Sequence, residues 1–387
     1  MARSTPQQTL QRLRIIVAIQ FMGATLGLPL LPLFLEHRGG TPTIIGLIMA
    51  SFFFAGVISQ YFFGHLADKF GRRPILVTSL IIYAVASGFY IVPMHASWFI
   101  LARIFQGAAA GAFEVASMSA VAARFPEETR GRAMSQIIAA QLLGIAIGPM
   151  LGAVVNVSQL GWAFFATGVV SLIAALVTFS VDLGDRAFDP TPLPPMSWNP
   201  QLLGALGAAC AAGISIGVYE TCWSLLMHSH HASTFQIRLS WTVFCLPWVL
   251  LSPVGGYIAD HWNRRWVATL GVLGGAIFMA TYPHIHNNVV MLITGSFESI
   301  FSALSVPSIS SYLTQGADNR EMGRRQGLYT TANTASLAIA ATVAGTLYSQ
   351  SPALPFTIAA ISASALGLAS FVTWRRVPGH VTTELSQ

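Results

Sequence analysis

The stretch Gly64-His65-Leu66-Ala67-Asp68-Lys69-Phe70-Gly71-Arg72-Arg73-Pro74 decides the reading of this chain. It is a short polar break between two long apolar runs. Gly64 lets two helices approach closely, and Gly71 permits a turn conformation that other residues resist. Asp68 can accept charge-assisted hydrogen bonds from Arg72 or from a neighbouring helix N-terminus. The pattern returns 192 positions later, where Gly64, Asp68, Arg72 and Arg73 recur as Gly256, Asp260, Arg264 and Arg265. Gly131 and Arg132 recur as Gly323 and Arg324 at the same offset. Six identities in one register across two loops point to a duplicated chain. The second copy departs from the first at Asn263, which stands where Gly71 would be.

Outward from these loops the chain is apolar. Of 387 residues, 54% are hydrophobic and 9% charged, against ~25% charged in soluble domains. A water-facing surface cannot be coated with so few polar side chains, which excludes a soluble enzyme. Twelve runs are long enough to cross ~30 Å of hydrocarbon: 13–35, 43–64, 74–93, 97–123, 133–156, 160–182, 201–227, 234–259, 266–283, 288–313, 326–348 and 353–374. Alternating segments of ~10 residues, the mark of an outer-membrane barrel, are absent. Arg12 and Arg14 precede the first run, but no small-residue cleavage site follows, so it reads as a retained helix. Twelve crossings put both termini on one side. Seventeen of the twenty Lys and Arg residues lie on that side, with Arg38 and Arg238 opposite and Arg103 inside a span. The basic face is therefore cytoplasmic, and the net charge of +6 is topology, not a nucleic-acid footprint. Arg73 is expected to serve topology alone.

Between the sixth and seventh spans, Pro190, Pro192, Pro194 and Pro195 favour an extended linker. The expected fold is an all-α integral membrane protein of twelve transmembrane helices in two pseudo-symmetric six-helix halves. The halves are 1–183 and 200–387, joined by a Pro-rich linker at 184–199.

The first loop resembles the signature G-x-L-a-D-r-x-G-r-[kr] of the major facilitator superfamily, and span count, duplication and both loops extend the likeness over the whole chain. The resemblance implies a conformational latch made of Gly64, Asp68, Gly71, Arg72, Asp260 and Arg264. Arg103-Ile104-Phe105-Gln106-Gly107 on the fourth span is similar to the family's R-x-x-q-G motif, tied there to proton coupling. Buried arginine is costly unless it faces water or a partner. Glu114 follows eleven residues later, ~16 Å along the axis, too far to pair with Arg103. On the fifth span Gly144, Gly148 and Gly152 make a smooth packing face, and Pro149 should bend the helix. This looks like the family's antiporter motif G-x-x-x-G-P-x-x-G-G, with Ala153 in place of its last glycine. The second half has Ser336, Ala340, Ala341 and Ala344 at these positions but no Gly-Pro.

Three acids sit well inside spans: Glu114, Glu220 and Glu298. An ionised carboxylate in hydrocarbon is costly, so each is a candidate to take up and release a proton. Acids on the seventh and tenth spans are what the resemblance to multidrug/proton antiporters implies for Glu220 and Glu298. Helical spacing gives one polar face to Glu298, Ser302, Ser305 and Tyr312, and another to Gly213, Gly217, Glu220 and Ser224. Gln136, Gln141 and Asn333 are further polar candidates. With Phe113, Trp223, Trp241, Trp248, Phe297, Phe301 and Tyr329 they fit an apolar pocket with a few orienting groups.

Aromatic faces attract cations, and a carboxylate would add to that attraction. The expected function is proton-coupled export of amphipathic, cationic small molecules by alternating access. The expected partners are that substrate, protons and the lipid bilayer, with no cofactor, metal or nucleic acid, in a monomer of the inner membrane. A lipid or glycolipid flippase, or another small-solute facilitator, is the alternative on the same fold. His228, His230 and His231 read as solvated loop residues. Cys210, Cys222 and Cys245 fall in apolar runs and frame no metal or disulfide pattern. No nucleotide-binding loop or nucleophilic triad is visible, and the dozen or so residues after Trp374 leave little room for a signalling tail.

Overall fold

A computed structural model describes residues 5–125, 127–152, 155–179, 181, 183, 196–315 and 319–377. Of the Pro-rich stretch read as a linker, 184–199, residues 184–195 lie outside the described residues, as do the side chains of Asp68 and Asp260.

Among the described residues the regular structure is helical. The first half holds α1 (Pro6–Leu26), the short α2 (Leu31–His37), α3 (Pro42–Phe70), α4 (Arg72–Gly88), α5 (Phe99–Arg124), α6 (Glu127–Leu151) and α7 (Leu160–Phe179). The second holds α8 (Pro200–Ser229), α9 (Thr234–His261), α10 (Arg264–Thr281), α11 (Asn288–Thr314), α12 (Asn319–Gln350) and α13 (Leu354–Trp374). Sequence sets the starts. Thr5, Thr41 and Asn199 each accept a hydrogen bond from a backbone N–H of the first turn, and each is followed by Pro. Pro is tolerated there because that N–H has no helical partner.

Eleven of these segments are long and apolar enough to cross a membrane, with α1 and α2 counted together. The exception is α12. It is 32 residues long, but Arg320, Glu321, Arg324 and Arg325 open it, and Thr330, Thr331, Asn333, Thr334 and Ser336 dilute its apolar run. The expected span at 326–348 is thus present as a helix without the hydropathy of its neighbours.

The chain divides into two compact units, Met1–Pro190 with Ser233–Thr242, and Thr191–Ala232 with Val243–Gln387. In the first, α1 packs on α6 and α7, α3 on α5, and α4 on α5 and α7. In the second, α8 packs on α12 and α13, and α10 on α11 and α13. Corresponding helices thus make corresponding pairs, as a duplication requires. The α1–α6 contact is close because Gly144 and Gly148 carry no side chain. A Cβ on either would press on the α1 backbone at Ala18 and Met22. In the second unit the closeness comes from the other partner, with Gly213 and Gly217 of α8 against Asn333 and Leu337 of α12. Pro149 lies inside α6, two residues before its last residue Leu151, and its missing N–H leaves the Ile145 carbonyl without its helical partner.

Before α8, Ser197 donates from its backbone N–H and its hydroxyl to Glu321, and Arg325 donates from Nη2 to the Ser197 hydroxyl at 2.9 Å. Arg325 is fully buried and also bonds the Leu313 and Gln315 carbonyls. This network ties the entry of α8 to the α11–α12 connection.

Candidate functional site

Glu298 sits on α11, nearly buried at 5% exposure. One carboxylate oxygen accepts from the Tyr219 hydroxyl of α8 at 2.8 Å. The other accepts from the Tyr282 hydroxyl, in the 3-10 turn closing α10, at 2.5 Å. Rings enclose this clamp. Trp223 meets Tyr282 edge-on at 4.8 Å between centroids and Tyr219 at 5.8 Å, and Phe356 of α13 lies 6.3 Å from Tyr219. The carboxyl is therefore taken out of solvent with both oxygens satisfied by neutral donors. Among the described residues no Lys, Arg or His pairs with it. A low-dielectric site makes an uncompensated charge expensive, which sets this acid apart from a solvated carboxylate.

The first unit carries the same pocket without the acid. Tyr90 and Gln106 stand 192 positions before Tyr282 and Glu298, and Phe164 stands 192 before Phe356. The Tyr90 hydroxyl donates to Gln106 Oε1 at 3.2 Å, and Gln106 Nε2 donates to the Ser87 hydroxyl at 2.9 Å. Phe164 stacks on Tyr90 at 4.2 Å. At the position matching Tyr219 there is Gly27, where a Cβ would touch the Phe164 ring.

The other ionisable candidates are placed as follows. Arg103 of α5 is 3% exposed, with its guanidinium 4.0 Å above the Phe52 ring. Its Nε and Nη2 are buried without hydrogen-bond partners. Glu114 accepts from Gln60 Nε2 of α3 at 3.1 Å. Glu220 follows Tyr219 on α8 and lies within electrostatic reach of the Cys245 thiol.

The polar and aromatic candidates scatter over both units. Trp223 belongs to the Glu298 pocket. Phe113 is buried, lining a cavity of about 50 Å³ with Gln20, Phe52 and Tyr83. Gln136 accepts from Arg14 at 2.9 Å, and Gln141 is half-buried on α6. Asn333 donates from Nδ2 to the Ala209 carbonyl at 3.0 Å, bridging α12 and α8. Phe301 lies against Gly274 and Phe278. Tyr329 packs on the second unit's core, whereas Phe297 is exposed on α11. Trp241 and Trp248 are half-buried on α9. Tyr312, read as part of the polar face of α11, is buried and stacks on Trp374 at 4.5 Å.

At the paired loops, Gly71 has φ +88° and ψ 158°, a conformation open to glycine, and it serves as both the end of α3 and the cap of α4. Arg72 donates from Nε to the Ser119 hydroxyl of α5 at 2.8 Å. Arg73, expected to serve topology alone, also donates to the Val181 carbonyl at 2.9 Å. In the second copy Asn263 takes an ordinary φ of −70° and caps α10 through its side chain. Arg264 is buried and turns back to the Ala259 carbonyl at 2.9 Å.

Three residues carry more of the structure than their sequence context announces. Tyr219 and Tyr282 hold Glu298, and the only advance signals are a neighbouring acid and the 192-residue match of Tyr282 to Tyr90. Arg238, fully buried at the start of α9, donates to the Val155 carbonyl at 2.7 Å and lies over Gly152.

A model of the Major Facilitator Superfamily matches residues 13–206 and again 202–386. The chain belongs to the major facilitator superfamily. The double match repeats the duplication seen in the loops and helix pairing. Among curated proteins, "Multidrug resistance protein 2" of Bacillus subtilis (strain 168) is 22% identical over 379 residues, 93% of each chain. "Quinolone resistance protein NorA" of Staphylococcus aureus (strain MRSA252) is 26% identical over 214 residues, covering 53% of this chain and 55% of the relative. Among solved structures, the nucleoside transporter NupG aligns with a TM-score of 0.77 at 13% identity, over 95% of this chain and 100% of NupG. A D-xylose-proton symporter aligns with a TM-score of 0.77 at 16% identity, over 97% and 99%. At these identities the structures speak for the fold. This superfamily chain is a multi-pass membrane transporter.

Proposed function

We propose that this transporter exports amphipathic, cationic small molecules in exchange for protons, by alternating access. The observation that carries the reading is Glu298, a carboxylate held by Tyr219 and Tyr282 in an aromatic pocket, with no cationic partner among the described residues. A cation over these rings and beside this acid gains from both. A proton arriving at the acid removes the attraction and favours release. Binding of either one thereby excludes the other, which is the requirement for exchange. Glu220, next in the chain to Tyr219, is the second proton candidate. Arg103 and Glu114 are assigned supporting roles in coupling, and Trp223, whose ring meets both tyrosines, is assigned to the substrate pocket. The names of the bacterial relatives, for multidrug and quinolone resistance, agree with this substrate class. The proposed location is the inner membrane and the proposed state a monomer; the basic-residue distribution supports cytoplasmic termini.

The test uses purified protein in proteoliposomes with an imposed proton gradient and a panel of cationic dyes. Wild type should concentrate dye against its gradient. Glu298→Gln should reduce gradient-driven transport to background at normal membrane expression, and Glu220→Gln should impair it. Wild-type behaviour in both variants would overturn the coupling assignment. Movement of lipid headgroups without dye transport would favour the flippase reading.

A further inference from the structure

The two copies of the aromatic pocket differ in a way that separates architecture from chemistry. Both have a tyrosine closing the third long helix of their half and donating to a polar side chain on the fourth, Tyr90 to Gln106 and Tyr282 to Glu298. That pair exists with or without an acid. Tyr219 does not. Its counterpart is Gly27, so the second phenol is found only where the carboxyl is found.

Tyr282 is 1% exposed, and the Tyr219 ring is packed among Trp223, Tyr282 and Phe356. We infer that Tyr219 is a positioning residue for proton exchange at Glu298, donating to the ionised carboxylate and reversing its hydrogen bond when the acid is protonated. The inference rests on Glu298 being the proton-carrying acid. Ionised Glu298 accepts one O–H from each tyrosine. Once protonated, its new O–H is a donor and needs an acceptor, which the Tyr219 oxygen provides if the phenol hydrogen turns away. The step moves one proton onto the carboxyl, and no covalent bond besides that O–H forms or breaks. Among the described residues the ionisable groups bonded to Glu298 are Tyr219 and Tyr282, with Glu220 following Tyr219 along α8. Gly275 of α10 lies near the Glu298 carboxylate, and Phe356 of α13 packs on the Tyr219 ring.

Tyr219→Phe keeps the ring and its contacts and removes the donor. A hydrogen bond to a charged group is strong enough that its loss should move the pH dependence of gradient-driven dye transport by about one pH unit toward alkaline pH. A ring-fluorinated tyrosine at position 219, a stronger donor, should move the profile the opposite way, which keeps the test alive if the phenylalanine variant folds poorly. Dye-induced proton release from purified protein should follow the same shifts and vanish in Glu298→Gln. A wild-type pH profile in both position-219 variants, with Glu298→Gln inactive, would overturn this inference alone. Normal gradient-driven transport by Glu298→Gln would instead remove the reading beneath it.

Discussion

The Tyr90–Gln106 pocket of the first half and the Tyr282–Glu298 pocket of the second are copies of one design with different chemistry. The amide of Gln106 makes its hydrogen bonds as acceptor and donor, to Tyr90 and Ser87, and never needs a charge. The carboxyl of Glu298 has phenol donors on both sides and is the group proposed to carry the proton. The first half therefore shows what the site is worth as scaffold, and the second what one side chain adds. An O-for-N exchange of one atom, with a tyrosine in place of Gly27, separates a structural polar cluster from a candidate proton carrier.

The strongest way to break this comparison is Glu298→Gln, which makes the second half imitate the first. Because Gln106 is accommodated beside Tyr90, the variant should fold, yet hold cationic dye more weakly and lose accumulation driven by a proton gradient in proteoliposomes. Next comes the packing contrast. Gly148→Val forces a branched side chain into the α1 backbone at Met22, and Gly217→Val does the same against Leu337 of α12. Each should cost about 3 kcal/mol, read as a lower melting temperature and reduced yield in both. A harmless result in either half would show that the two close approaches are not equivalent.

The paired turns give a smaller contrast. Gly71→Ala places a side chain at φ +88° and should destabilise by about 2 kcal/mol. Asn263→Ala loses only a cap, about 1 kcal/mol. Thermal unfolding of the purified variants should rank them in that order. The smallest effect belongs to Glu321, outside the spans. Hydrogen bonds from Ser197 and the nearby Arg325 guanidinium hold its carboxyl below the usual range. Its stabilising contribution is therefore complete above the ordinary carboxylate range and is lost as pH falls through the lowered value. The melting-temperature gap between wild type and Glu321→Gln should be widest at neutral pH and close on acidification.

Much of the architecture is written locally. Apolar run length and the repeated loops suffice to expect twelve helices in two related halves, and Thr5, Thr41 and Asn199 cap three of them in the structure. The one long helix lacking enough hydropathy, α12, is also the one whose sequence mixes Thr, Ser and Asn into its apolar positions. The site was less legible. Glu298 is conspicuous as an acid in an apolar run, but its two phenol partners come from α8 and from the turn after α10, 79 and 16 residues away. Spacing along one helix cannot announce partners on others. For the same reason Phe113, Phe297 and Trp223, alike as aromatic residues in a list, end in a core, on an exposed face and beside the acid. The small face of α6 was legible as packing, but its counterpart is supplied by α8, not by α12.

The sequence by itself determined the membrane class, the duplication and the family, because hydropathy and turn-forming residues act over short range. Tertiary structure decided which polar groups meet. Whether an acid is clamped by neutral donors, paired with a cation or left to solvent depends on helix faces brought together from distant parts of the chain, and only packing fixes those.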